Sequence, residues 1–275
     1  MAMNETFNFK RFATYFKYDL MQMWRNHSKA AILIGGSSAL FYILWVMFSL
    51  VFTQEWHSPS IAARVIVFFL AFGILELYMV RIYGHLTDKK AGSSWLMIPA
   101  SRAEKSVSML LITVVVIPVL FTVVYLVLDG FLSLRDPTFG QAIITGFATG
   151  YTEMLNGIAE INNQTSFPFN PSSLIFPSIV SLVSSFLYFL LCGICFKRNK
   201  LVGAIAILFL LSTVLSLVSG FVLPHVFESW SGADITEEMV MPIVQSVLNW
   251  STAVAVIITI GLGWGVWYRV KTLQH

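Results

Sequence analysis

Five stretches of the chain, 30–52, 106–128, 172–196, 201–227 and 242–268, contain no Asp, Glu, Lys or Arg. A sixth, 65–82, is apolar except for Glu76 and Arg81. A bilayer core of about 30 Å needs roughly 20 helical residues to cross it. Only a helix satisfies its own backbone in hydrocarbon, and these runs lack the period-two alternation of barrel strands. The pattern predicts an all-α integral membrane protein with six transmembrane helices, at about 30–52, 62–82, 106–128, 172–196, 201–225 and 243–268.

Two further segments carry a helical period without the length or purity of a span. In residues 1–29, Phe9, Phe12, Phe16, Leu20 and Met23 recur in steps of three and four, and Lys10, Arg11, Lys17 and Arg25 fall elsewhere on the wheel. That segment reads as an amphipathic helix lying in the membrane interface, its apolar face in acyl chains and its basic residues near headgroups. In 139–161, Ile143, Phe147, Tyr151, Met154 and Ile158 define one face, with Glu153 and Glu160 off it. This is a one-faced helix within an external segment 129–171, not a seventh span. Residues 30–275 form a single membrane domain.

Charge placement sets the expected orientation. Fifteen of the 17 Lys and Arg fall on one side of this layout, leaving Arg64 and Arg135 on the other. By the positive-inside rule both termini are cytoplasmic. Composition agrees with the membrane reading: the 275 residues are 57% hydrophobic and 11% charged, where a soluble domain carries about a quarter charged residues.

Candidate chemistry is sparse. Glu76 lies inside the second span, where a carboxylate is expensive and faces the bundle interior or water; Arg81 and His85 are its candidate partners. It reads equally as a substrate or gating contact and as a structural group. Pro118 in the third span frees a backbone carbonyl, so a kink and a candidate hinge are expected there. Gly261, Gly263 and Gly265 permit close helix packing. Cys192 and Cys195 have no second pair nearby to complete a zinc site, so no metal site is expected. No catalytic residue stands out, and no folded basic surface suggests nucleic acid.

The connection 83–108 is the most informative segment. After Asp88, Lys89 and Lys90 it presents Trp95, Leu96, Met97 and Ile98, an apolar knob expected to be exposed unless the membrane or another protein covers it. Pro99 ends that turn, and Ser101 with Glu104 has the spacing of a capping box. The amphipathic N-terminal helix, six spans and the run Ile98-Pro99-Ala100-Ser101 followed by Arg102 and Lys105 together resemble an ABC type-2 permease. In that family the common pattern is Leu-Pro-x-Ser with a later Lys; here Ile98 replaces the Leu. The external segment between spans three and four is longer than in compact members, and 225–241 stands where the family has a re-entrant helix.

The resemblance implies that a short coupling helix between spans two and three, around Trp95 to Lys105, rests on a separate ATPase subunit. It makes residues 1–29 an elbow helix, and it implies a second permease copy or a related permease as partner. The chain contains no phosphate-binding loop motif, so ATP and Mg would bind the partner ATPase and this chain would need no cofactor of its own. The expected address is a cell inner membrane and the expected direction is export. Two alternatives stay open: a self-sufficient secondary transporter or channel, and a membrane scaffold or sensor without transport.

Overall fold

A computed structural model describes residues 7–164, 170–230 and 237–272, and among these residues the protein is all-helical. The order is α1 (Phe9–Gly35), α2 (Ser37–Phe52), α3 (Ile61–Ile82), α4 (Lys89–Met97), α5 (Arg102–Leu111), a π-turn (Ile112–Val116), α6 (Ile117–Arg135), α7 (Ile143–Gln164), α8 (Ser172–Cys195), α9 (Lys200–Trp230) and α10 (Glu237–Thr272). Five helices among the described residues are long and apolar enough to cross a membrane: α3, the continuous α5–α6, α8, α9 and α10. The pair α1–α2, bent by 42° at Gly36, makes a sixth if counted as one span. α7 is not among them.

Local chemistry starts several of these helices. The Asn8 side chain caps α1 by accepting from the backbone N–H groups of Lys10 and Arg11 at 3.0 and 3.2 Å. Ser60 caps α3, and Ser101 with Glu104 forms a full capping box on α5. Before Pro118 the helix widens: Ile117 donates its N–H to the carbonyl of Ile112, five residues back. The expected disturbance at the proline is therefore a π-turn inside one continuous helix, a known way of absorbing an irregular ladder.

The buried core lies at the ends of the helices nearest α4. Met79, Val80, Leu86, Met109, Ile112, Leu190, Ile194 and Val266 are all buried there. α3 and α8 approach closely because Gly193 has no side chain; a Cβ at that position would sit 2.5 Å from the Val80 carbonyl oxygen. Toward the other end the packing turns aromatic, with Phe68, Phe72, Phe121, Tyr125 and Phe186 in mutual edge and stacked contacts. α9 carries Ala204 into the core but is otherwise largely exposed over residues 200–217. Of the three glycines in α10, only Gly265 meets a neighbouring side chain, Leu191; Gly261 and Gly263 face open space.

The N-terminal helix differs from expectation. It does not end near Lys29 or lie across the ends of the other helices. Its contacts climb the bundle: Arg11 meets Glu104, Asp19 meets Ser108, and Gly35 lies against Val124. α1 thus runs beside α5–α6 before Gly36 redirects the chain into α2.

α7 confirms the helical period but only part of its expected face. Ile143 and Ile158 are buried, and Phe147 packs edge-on against Phe68 and Phe69, whereas Tyr151 is exposed. Residues 231–236, the middle of the acidic stretch expected as a re-entrant helix, lie outside the described residues.

Candidate functional site

At the α4 end, three elements, α1, α4 and α5, meet around two charged residues that sequence reasoning placed in the loop. Glu104 is 0% exposed. Its carboxylate accepts from Arg11 Nε at 2.8 and 3.0 Å, from Arg11 Nη2 at 2.7 Å, and from the backbone N–H groups of Asn8 at 2.8 Å and Ser101 at 2.9 Å. One side chain therefore closes the capping box of α5 and ties the start of α1 to it. A charged, bidentate arginine contact of this kind is among the stronger hydrogen-bonded pairs. The neighbouring Lys105, also buried, donates to the carbonyls of Trp95 and Leu96 at 2.9 and 3.3 Å. Those are carbonyls of the last turn of α4, which lack the usual partner four residues on, although the Trp95 carbonyl also accepts the Ile98 N–H at 3.3 Å. Its ammonium also stands 4.7 Å from the Trp95 ring centroid, a cation–π contact.

Trp95 corrects the sequence reading. It is 6% exposed, not a projecting knob, because its ring is folded under α1 and its indole N–H donates to Tyr15 Oη at 3.1 Å. An indole has one polar edge and a large apolar body, so burial with a hydroxyl partner outweighs display to water. Leu96 and Ile98 are half-buried and pack on the same core. What α4 does present outward is Met97, 81% exposed, with Pro99 beside it. Arg102 reaches away from α4 and donates to the Lys271 carbonyl at the end of α10, at 2.6 Å.

The same tie continues along α1. Asp19, buried, accepts from Tyr83 Oη at 3.0 Å and Ser108 Oγ at 2.7 Å. One turn beyond the buried Met23, His27 Nδ1 pairs with Tyr78 Oη at 2.8 Å. Of the predicted α1 face, Phe12 is buried, Phe16 packs against the core, and Phe9 stays exposed beside Phe12. Several cations that sequence reasoning used only for orientation have definite partners. Lys200 donates to the Gly84 carbonyl and to Thr87 Oγ1, and Arg269 Nε donates to the Ile194 carbonyl at 3.1 Å.

Glu76 is half-buried between α3 and α8, and it accepts from Ser185 Oγ at 2.6 Å. Neither Arg81 nor His85 pairs with it: Arg81 is exposed, and the Nδ1 of His85 faces the Ile82 carbonyl at 3.0 Å. Beside this pair Ser184 Oγ meets Thr259 Oγ1 of α10 at 2.5 Å. Three helices thus bring Glu76, Ser184, Ser185 and Thr259 to one depth, a polar patch that the one-dimensional pattern did not reveal. Single serines and threonines are unremarkable in an apolar helix, since each can bond its own preceding turn.

At the opposite end a buried ion pair had no sequence signal. Arg64 Nη1 donates to Asp129 Oδ1 at 2.9 Å, and Arg64 Nη2 reaches the carbonyls of Phe139 and Gln141 at 3.1 and 2.6 Å. Asp129 also accepts the Ile143 N–H at 2.7 Å, which fixes the start of α7. Asp136, just past α6, gathers Tyr42, Trp56, Ser58 and Thr138 around its carboxylate. Partial burial acts to raise its pKa, but those hydrogen bonds outweigh it and hold the group below the usual carboxylate range.

Nothing in these clusters pairs a nucleophile with a base. Among the described residues no group of three or more His, Cys, Asp or Glu is placed to hold a metal ion. Cys192 is buried and Cys195 exposed, both as free thiols. The buried contacts join α4 to α1 and to the α5–α6 helix. Comparisons with models of protein families, with curated proteins and with solved structures found no match to this chain.

Proposed function

We propose that this chain is the membrane-spanning subunit of an ATP-driven transporter of the ABC type-2 permease class, working with a separate ATPase. A second copy of the chain, or a related permease, completes the substrate path. In this reading the chain crosses an inner membrane six times with both termini and α4 in the cytoplasm, α1 and α2 together make the first crossing, and α4 is the coupling helix. The observation that carries it is α4 itself: a nine-residue helix between two spans, bolted to its surroundings through Trp95, Glu104 and Lys105, with Met97 left pointing out. A free loop would absorb a push from a partner. A helix held by buried hydrogen bonds passes it on, through Tyr15 and Arg11 to α1 and through α5 to the span containing the π-turn.

The polar patch at Glu76, Ser185, Ser184 and Thr259 supplies hydrogen-bonding groups within the spans, suited to an amphipathic cargo whose polar part needs partners in an apolar path. It also favours the rival reading of a self-sufficient carrier, which would need no ATPase. Purification of the tagged chain from its native membranes in mild detergent separates the two. The expected result is co-purifying, vanadate-sensitive ATP hydrolysis that Met97→Glu reduces at least about tenfold, the cost of forcing a charge into an apolar contact, with insertion and thermal stability unchanged. Wild-type chain that brings down no hydrolysis would leave the carrier reading in place.

A further inference from the structure

Beneath α1 runs a groove that none of the ties described above fills. Its deeper part is a cavity of about 170 Å³ between α1, α3 and α6. Ile34, Leu75, Ile117, Phe121 and Val124 form its apolar walls, and the His27–Tyr78 pair is its polar element. Its shallower part, about 610 Å³, runs along α1 from Tyr18 to Arg25. The two share Met23, Trp24 and Leu120, so they form one continuous trough. From Tyr18 to Gly35 it extends about 25 Å, at 1.5 Å per helical residue.

The trough is chemically graded. Arg25 lines the shallower part where it joins the deeper one, and Lys29, one turn later on α1, lies outside the lining of both. Both are exposed, and neither makes a hydrogen bond or ion pair among the described residues. Asp19, the acidic residue of α1, is buried and engaged with Tyr83 and Ser108, so it does not neutralise them. Trp24, next to Arg25, lines both parts of the trough, the kind of side chain found at a membrane–water boundary.

We infer that this trough is a binding site for one anionic phospholipid. Its headgroup meets Arg25 and Lys29, and an acyl chain lies along Met23, Leu120 and Val124 as far as Gly35. Arg25 in the lining, with Lys29 one turn away, selects negative charge, and the walls accept methylenes. The inference needs only that the helices sit in a membrane, and it stands whether or not the permease reading does.

The test is native mass spectrometry of the full-length purified chain, titrated in detergent with phosphatidylglycerol and with phosphatidylcholine of the same acyl chains. The wild type should retain one phosphatidylglycerol, preferred by about fivefold or more, the scale expected for at least one basic side chain beside an anionic headgroup. The double variant Arg25→Ala, Lys29→Ala should lose that preference; both positions are exposed, so the fold is not at stake. Ala31→Trp, which fills the deeper cavity, should lose the retained lipid of either type. Equal retention of both lipids by the wild type, or a preference that survives in the double variant, would mean that only ordinary boundary lipid is held there.

Discussion

Glu104, Arg64 and Asp129 show how individual charges survive inside so apolar a chain. Each is almost fully covered, and each has a partner of opposite sign together with at least one backbone group, although Arg64 Nε is buried without a partner among the described residues. Removing one member leaves the other buried and uncompensated. Asp129→Ala should therefore cost about 3–5 kcal/mol and lower the thermal midpoint of the purified protein; an unchanged midpoint would mean that Arg64 finds water instead. Asp136 behaves differently because it is partly solvated. Its pKa is lower in the folded protein than in the unfolded chain, so its stabilising effect is fully present above the unfolded value, near 4, and is lost as pH falls through the folded one. The difference in thermal midpoint between wild type and Asp136→Asn should thus be constant at neutral pH and shrink only below about pH 4. A difference that vanishes already near pH 6 would mean that a group other than Asp136 controls this cluster. Of these residues, only the capping role of Glu104 was legible beforehand, because capping depends on neighbours three residues away. Arg11 is 93 residues from Glu104, and Asp129 is 65 from Arg64.

Among the elements, the α3–α8 contact depends on one missing methyl group. Gly193→Ala would place a carbon at 2.5 Å from the Val80 carbonyl oxygen, which the backbone cannot yield cheaply. The expected cost is about 1–3 kcal/mol, read as a lower thermal midpoint, while Gly261→Ala, facing open space, should be neutral. Equal stability of the two variants would show that α3 and α8 are farther apart in solution. The sequence marked Gly261, Gly263 and Gly265 as packing positions but gave no reason to single out Gly193, since only the register between two helices decides which glycine faces a backbone. Helix existence was the more readable property. The spans, α7 and the start of α5 follow from local periodicity and capping. The end of α1 did not, because Gly36, not the last cation, breaks that helix.

For the whole molecule, the two ends of the bundle are held by different means. The α4 end has a tight aliphatic core with cations capping helix carboxyl ends, while the Asp136 end relies on aromatic packing, one buried ion pair and a polar cluster. Met97 and Leu134 are exposed at opposite ends, 81% and 88% respectively. With Cys192 and Cys195 replaced by serine, cysteines introduced at Met97 and at Leu134 should react with an impermeant thiol reagent from opposite sides. In intact cells only the Leu134 position should label. Labelling of Met97 from outside would invert the orientation on which the proposed coupling role depends.

Hydrophobic run length and the placement of 17 basic residues determine, without coordinates, that the chain is helical, rich in membrane-crossing segments and uneven in charge. These are properties of each segment against its solvent, so a one-dimensional reading reaches them. Which side chains end up covered was decided by tertiary packing alone. Trp95 looked like a displayed knob until α1 folded over it, and Glu76 looked like a partner for Arg81 or His85 until Ser185 met it. Partner identity across dozens of residues is a matter of helix rotation and register, which hydropathy does not encode because every face of these helices is apolar enough to be buried.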